Sequence, residues 1–243
     1  MSVTIVAQTV IPDFGGGENS CVRQNKGFCW NWVKDNWSDV LFPAVRQHVA
    51  LTAIAVSVGF VLAFALALLA HRRRGLETPI TVTTGVLYTI PSLALFQILV
   101  GFSFLGLNRL TVEIALVSYT LLILFRNTLA GLRSVPDDVR EAAQGMGLTR
   151  RQILMKVELP LAVPAIMAGL RIATVTVISL ATVAAFIDDE GLGSPIFRAI
   201  QSNVFKTELF AAGGLAVALA LCADALLVLI QRLVTPWARR QRA

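Results

Sequence analysis

The sequence predicts an all-α membrane protein with about five transmembrane helices, each of the length that a bilayer requires. Apolar residues make up 56% of the 243 residues and charged residues 15%, whereas a soluble domain carries about 25% charged residues. Several apolar runs reach the roughly 20 residues that cross a bilayer as a helix. The Lys and Arg residues concentrate in alternate loops, which is typical of a chain oriented in a membrane.

Residues 1–45 form a polar segment that we predict to be extracytoplasmic. It contains Trp30, Trp32 and Trp37, and tryptophans beside a span usually mark the membrane–water interface. We therefore interpret residues 28–44 as an amphipathic interfacial helix.

Two cysteines, Cys21 and Cys29, lie in the same polar segment. An extracytoplasmic location permits a disulfide, and the sequence leaves a disulfide and two free thiols both open. No metal-ligand spacing accompanies them, so we expect no metal site. His48, just before the first span, is interpreted as an interfacial residue.

Five apolar segments are the predicted spans, and together they form a permease-like transmembrane domain over residues 46–235. Their bounds are residues 49–70, 80–104, 110–132, 161–187 and 209–233. The first has no charge over 22 residues, which corresponds to about 33 Å of helix. Pro91 interrupts the second span, because proline lacks a backbone donor and clashes with the preceding turn. Two interpretations of Pro91 and Ser92 remain open: a kink that neighbouring helices pack against, and a break in the helix that lines a translocation path.

The positive charges orient these spans with the N-terminus outside and the C-terminus in the cytoplasm. Thirteen of the 21 Lys and Arg residues fall in segments that this orientation makes cytoplasmic, and seven fall outside. Residues 236–243 are the cytoplasmic tail. Arg171 and Asp224 lie inside the fourth and fifth spans at similar depth. Intramembrane charges are costly, so we predict an ion pair that either stabilises the bundle or takes part in solute passage.

The loop of residues 133–160 is polar and lies between the third and fourth spans, on the predicted cytoplasmic face. Asp137 suits the start of a short helix, because carboxylates favour helix N-termini. Gly147 suits its end, and Thr149 suits the start of a second helix. Pro160 is expected to mark the entry into the following span. The loop is therefore predicted to be a helix–turn–helix.

The spacing within this loop resembles that of the permease subunits of bacterial ATP-binding-cassette importers. The matching residues are Glu141-Ala142-Ala143, Gly147 and Leu159-Pro160. The resemblance is to the MetI-like family of binding-protein-dependent inner-membrane components. It implies a coupling loop in which Glu141, Ala142, Ala143 and Gly147 contact ATPase subunits. No Gly-x-x-x-x-Gly-Lys-Ser/Thr pattern occurs in the chain. We therefore expect a non-enzymatic subunit without a cofactor, with ATP and Mg²⁺ used by the partner ATPase.

Residues 88–96, 124–132, 181–187 and 191–193 resemble the osmoprotectant subgroup of these importers, which carry glycine betaine, carnitine or choline. The resemblance covers roughly residues 45–235 and implies a multi-pass protein of the bacterial cytoplasmic membrane. It implies as partners the ATPase subunits, a second copy or a homologous permease, an extracytoplasmic solute-binding protein and lipid, but no nucleic acid. The translocation path implied by the resemblance includes Pro91, Ser92, Thr182 and Phe186.

The acidic run Asp188-Asp189-Glu190 departs from the subgroup, which commonly has small neutral residues there. Two interpretations of this run remain open: an acidic rim that attracts a cation, and an ordinary solvated loop. The alternatives in function are a permease of the same fold for another small solute, such as an amino acid or a thiol betaine, and an energy-independent channel or carrier.

Overall fold

The computed structural model describes residues 20–25, 27–202 and 204–239, and every regular element in these ranges is helical. The α-helices, in chain order, are α1 (Ser20–Arg23), α2 (Trp30–Asp35), α3 (Phe42–Arg72), α4 (Glu77–Thr89), α5 (Ser92–Val100), α6 (Arg109–Arg133), α7 (Asp137–Gly145), α8 (Arg150–Ile153), α9 (Leu159–Ala184), α10 (Gly193–Gln201) and α11 (Lys206–Val234). Two π-helical turns, Trp37–Leu41 and Leu154–Glu158, lead directly into α3 and α9.

The helices confirm the predicted all-α membrane fold. Among the described residues, four helical segments are long and apolar enough to cross a membrane: Trp37–Arg72, Arg109–Arg133, Arg150–Ala184 and Lys206–Val234. The pair α4 and α5 passes the same test together, and counting this pair as one span brings the total to five.

The interruption predicted at Pro91 is a bend of 95° between α4 and α5. Ile90 and Pro91 have extended backbone angles, because the proline ring excludes the residue before it from the helical region. The Ile90 carbonyl accepts a hydrogen bond from the Tyr119 hydroxyl of α6. A bend of this size separates two helices and exceeds a kink in a continuous one.

Pro160 lies at the entry to the fourth span, in the first turn of α9. Proline is tolerated in the first turn of an α-helix. The chain is already helical before this residue, since Arg150–Ala184 form one continuous helical segment that includes the π-helical turn Leu154–Glu158.

Close contacts between helices rely on small residues. A Cβ atom on Gly59 of α3 would lie 1.8 Å from Thr120 Oγ1 of α6, and a Cβ atom on Gly169 of α9 would lie 2.6 Å from Asn127 Cβ. Small residues let helix backbones approach closely within a membrane. The packing of α3 and α9 against α6 therefore leaves no room for a side chain at Gly59 or Gly169.

The described residues of the N-terminal segment pack against α10 and α11. Cys21 and Cys29 are joined by a disulfide, and the Cys29 amide donates to Thr207 Oγ1 over 2.9 Å. Trp32 is only 3% exposed and packs edge-on against Phe205 at 5.2 Å between ring centroids. Trp32 is therefore a core residue rather than an interfacial one, while Trp30 remains exposed.

His48 is fully buried, in contrast to the interfacial position expected of it. Its Nε2–H donates to the Ile178 carbonyl over 3.0 Å, and its Nδ1 accepts from the Leu192 amide over 3.2 Å. Both ring nitrogens are satisfied only in the neutral Nε2–H tautomer. Gly191 has a φ of +74°, and a Cβ atom there would lie 2.9 Å from His48 Nδ1. The loop after α9 is therefore held against α3 by a neutral histidine.

Candidate functional site

The helix α7 presents an exposed face that contains Glu141 and Ala142. Asp137 and Asp138 stand in its first turn, where negative charge favours the helix N-terminus. The helix follows Pro136, whose extended backbone marks its start. Its exposed face is the part of the predicted coupling surface that a partner can reach.

The end of α7 is closed by Gly147, which has a φ of +81°. The Gly147 amide donates to the Gln144 carbonyl over 2.8 Å, and the Leu148 amide donates to the Ala143 carbonyl over 3.2 Å. These bonds satisfy carbonyls that the helix end leaves free. Thr149 and Gln152 then form a capping box at the start of α8. The turn between the two helices is thus defined by hydrogen bonds.

A cluster of charged side chains holds α7 to the bundle. Glu158, in the π-helical turn before α9, is 6% exposed. Its Oε1 accepts from Arg140 Nε over 2.7 Å, and its Oε2 lies 3.0 Å from His71 Nε2 at the end of α3. Arg140 Nη2 also donates to the Leu132 carbonyl of α6 over 3.0 Å, and Nη1 donates to Asp137 over 2.7 Å. One carboxylate therefore connects three parts of the fold.

Arg140 keeps its charge within this cluster. Burial lowers the pKa of the guanidinium, but hydrogen bonds and attraction from Glu158 and Asp137 outweigh it, and the pKa is raised above its ordinary value. A permanently charged arginine makes charge-assisted hydrogen bonds, which are stronger than neutral ones. The position of α7 thus depends on charge-assisted hydrogen bonds that Arg140 donates.

The four residues predicted to couple to an ATPase lie in different environments. Glu141 and Ala142 are exposed, and the exposed Gly147 shapes the turn. Ala143 is 2% exposed, so its side chain packs within the chain and is not available to a partner. Met146 was not singled out by the sequence analysis, yet it is 74% exposed beside α7. The sequence did contain a signal for its exposure, because Met146 is a large apolar residue between two glycines, Gly145 and Gly147.

The other predicted site residues are placed as follows. Arg171 and Asp224 meet in a bidentate ion pair, with Nε to Oδ1 at 2.7 Å and Nη2 to Oδ2 at 2.9 Å. The Thr182 hydroxyl donates to the Ser179 carbonyl of its own helix. Phe186 is exposed and lies 5.9 Å from the Phe197 ring.

The break at Pro91 and the end of α9 flank one apolar core. Leu95, Phe96, Ala181 and Ala184 are buried together there. The structure thus brings the two parts of the predicted path to the same region without joining Ser92 to Thr182. Within the residues that the structure describes, no group of three or more His, Cys, Asp or Glu side chains is placed to hold a metal ion.

Arg140, Glu158 and His71 belong to the candidate site but were not predicted from the sequence. Arg140 and Glu158 are 18 residues apart, and His71 and Glu158 are 87 apart. One signal was available, since Glu158 is a lone acid directly before an apolar span, where an unpaired charge is unfavourable.

Replacing Gly147 with Ala is expected to destabilise the turn after α7 by about 1 kcal/mol, because its positive φ is unfavourable for a residue with a Cβ atom. The matched control is Gly145→Ala, since a Cβ atom meets nothing within 4 Å at either glycine and Gly145 lacks the positive φ. Hydrogen exchange across residues 137–149 should accelerate only in Gly147→Ala. Gly147→Asn should recover part of the loss, because Asn tolerates this conformation. Equal exchange in both alanine variants would contradict the assignment.

The helical bundle defines a multi-pass membrane protein. The family model for the binding-protein-dependent transport system inner membrane component matches residues 55–240. The chain therefore belongs to this family and is a multi-pass protein of the inner, cytoplasmic membrane.

Curated relatives and solved structures agree with this family. The choline transport system permease protein OpuBB of Bacillus subtilis (strain 168) is 34% identical over 84% of this chain and 93% of its own length. The osmoprotectant import permease protein OsmW of Salmonella typhimurium is 37% identical over 78% of this chain and 89% of its own. A chain of the MetNI methionine ABC transporter, in an inward-facing conformation, shares the fold with a TM-score of 0.74 at 22% identity. That likeness covers 83% of this chain and 98% of the other.

Proposed function

We propose that this chain is the permease subunit of an ATP-driven importer for a quaternary-ammonium osmoprotectant such as glycine betaine, choline or carnitine. The observation that carries the proposal is α7, an exposed helix held to the transmembrane bundle through the contacts of Arg140 and His71 with the buried Glu158. Such a platform transmits force from a partner to the spans, because a shift of its base breaks the ionic contacts of a buried carboxylate. The choice of solute rests on the named substrates of the relatives.

In this proposal α7 faces the cytoplasm, with the N-terminus outside and the C-terminus inside. Glu141 and Ala142 contact an ATPase subunit, which binds ATP and Mg²⁺, while Ala143 packs the helix against its own chain. A second permease, either a copy or a homologue, completes the translocation path. An extracytoplasmic binding protein delivers the solute. Movement of two ATPases then shifts both platforms and alternates access across the membrane.

Replacing Glu141 with Ala is expected to lower ATP-dependent uptake about tenfold, the effect of losing roughly 1.4 kcal/mol at an interface. The test reconstitutes the permease with its ATPase and binding protein in proteoliposomes and measures uptake of labelled choline and glycine betaine. The control is Lys156→Gln, which removes an exposed charge of the same loop outside α7. Unchanged uptake in Glu141→Ala would overturn the coupling role.

The same uptake assay tests the choice of substrate and the need for ATP separately. Competition by unlabelled glycine betaine, choline and carnitine, but not by methionine, is expected. Uptake that persists without ATP would favour an energy-independent carrier and would contradict the proposal.

A permease of the same fold for another small solute is the second candidate. It is favoured by the fold of the MetNI methionine ABC transporter, which this chain shares.

The acidic residues after α9 bear on the solute of the first proposal. Glu190 lies 3.5 Å from Arg109, which offsets its charge, but Asp189 is exposed. An exposed carboxylate attracts cations, so it would favour choline over zwitterionic glycine betaine.

A further inference from the structure

A cavity of about 590 Å³ lies between the end of α3, one side of α7 and the start of α8. Four arginines line it: Arg72, Arg140, Arg150 and Arg151. Glu158 is its single lining carboxylate, and both oxygens of that carboxylate are already engaged by Arg140 and His71. The side chains that line the cavity therefore carry a net positive charge.

Three of these arginines have no acidic partner within the described residues. Arg72, Arg150 and Arg151 take part in none of the ion pairs there. Like charges gathered in one concave site repel each other and attract an anion. Arginine is suited to phosphate, because its planar donors match phosphate oxygens in pairs.

The cavity adjoins the end of the first transmembrane segment. Arg72, which lines it, is the last residue of the segment Trp37–Arg72. Leu69, an exposed apolar residue, lies one turn before Arg72 on the same segment. A molecule with a phosphate group and an acyl chain can therefore place the phosphate in the cavity and the chain along the spans.

The cavity and the centre of the proposed ATPase contact lie on different sides of α7. Arg140 and Gln144 line the cavity, and Ala142, midway between them, projects in the opposite direction at 3.6 residues per turn, with Glu141 between the two sides. A partner that contacts α7 at Ala142 therefore leaves the cavity open.

We propose that this cavity binds the phosphodiester headgroup of an anionic phospholipid such as phosphatidylglycerol. The lipid would neutralise the arginines beside the base of α7 and fix the spacing between α3 and α8. The proposal is independent of the solute carried, because none of the cavity residues belongs to the predicted path.

The test measures lipid binding to the purified full-length chain in mixed micelles by native mass spectrometry and hydrogen exchange. Phosphatidylglycerol should bind more tightly than phosphatidylcholine and should slow exchange in residues 140–154. Arg150→Gln/Arg151→Gln should weaken this binding about 25-fold, since each arginine near an anionic surface contributes roughly fivefold. The matched control is Arg73→Gln/Arg74→Gln, which removes two neighbouring exposed charges that do not line the cavity.

Three results would overturn the lipid assignment. The first is equal loss of phosphatidylglycerol binding in both double variants. The second is the same protection from inorganic phosphate alone, which would make the cavity a site for free anions. The third is intact lipid binding in Arg150→Gln/Arg151→Gln with loss of ATPase association, which would make the cavity part of the ATPase contact. Because no ATPase or solute is present in the lipid measurement, its failure would leave the transport proposal untouched.

Discussion

Replacing Glu158 with Gln is expected to release α7 from the bundle and to uncouple ATP hydrolysis from transport. The substitution keeps the shape of the side chain but removes the charge that Arg140 and His71 share. Breaking a buried ion pair by removing one partner costs about 3–5 kcal/mol. We expect the lower end of this range, because the Arg140 side chain is partly exposed.

Hydrogen exchange in residues 137–145 of Glu158→Gln should therefore be about a hundredfold faster than in the wild type, the factor that roughly 3 kcal/mol of local stability sets. In the reconstituted complex, ATPase activity should persist while the solute transported per ATP falls. The control is Glu77→Gln, which removes the carboxylate paired with Arg133 at 2.6 Å. Both side chains of that pair are about one third exposed, so its loss should cost no more than about 1 kcal/mol. Exchange of α7 at the wild-type rate in Glu158→Gln would contradict the role of the cluster.

Replacing Asp224 with Ala is expected to reduce the amount of folded protein in the membrane. It leaves the Arg171 charge without its bidentate partner inside a span, and an unpaired arginine at membrane depth costs roughly 3 kcal/mol even on insertion scales. The reverse variant, Arg171→Met, leaves a lone carboxylate and should also lower the yield. Folded protein in each variant is measured by detergent extraction and size-exclusion chromatography.

The double variant Arg171→Met/Asp224→Leu separates the two interpretations of this pair. Replacing both partners by apolar side chains of similar size is often neutral or stabilising, so the folded amount should recover. If the pair only stabilises the bundle, uptake should recover with it. If the pair takes part in solute passage, the double variant should fold yet fail to transport. Failure of the double variant to fold better than either single variant would contradict direct coupling between the two residues.

The sequence predicted the class and the spans well, because both depend on local composition. A run such as residues 49–70 is apolar over its whole length, and a helix is the form in which such a run satisfies its backbone in lipid. The interruption at Pro91 was predictable for the same reason, since the ring acts on its own neighbours. The 95° angle of the bend could not be predicted, because it depends on the position of α6. The Tyr119 hydroxyl of α6 donates a hydrogen bond to the Ile90 carbonyl, which the break leaves free.

The candidate site was only partly predictable. The pattern around Glu141 marked the coupling loop, and Gly147 marked its turn. The pattern did not distinguish Ala142, which is exposed, from Ala143, which is 2% exposed. Adjacent residues on a helix point about 100° apart, and only the position of the bundle decides which of them is covered.

By itself, the sequence determined that this chain is a helical membrane protein, where its apolar segments begin and end, and which loop resembles a coupling loop. These properties follow from hydropathy, charge and the backbone preferences of neighbouring residues. Only the tertiary structure decided that Glu158 joins Arg140 to His71, and that four arginines surround one cavity. The physical reason is that these contacts join residues far apart in the chain, and their distances depend on how α3, α7, α8 and α9 pack together.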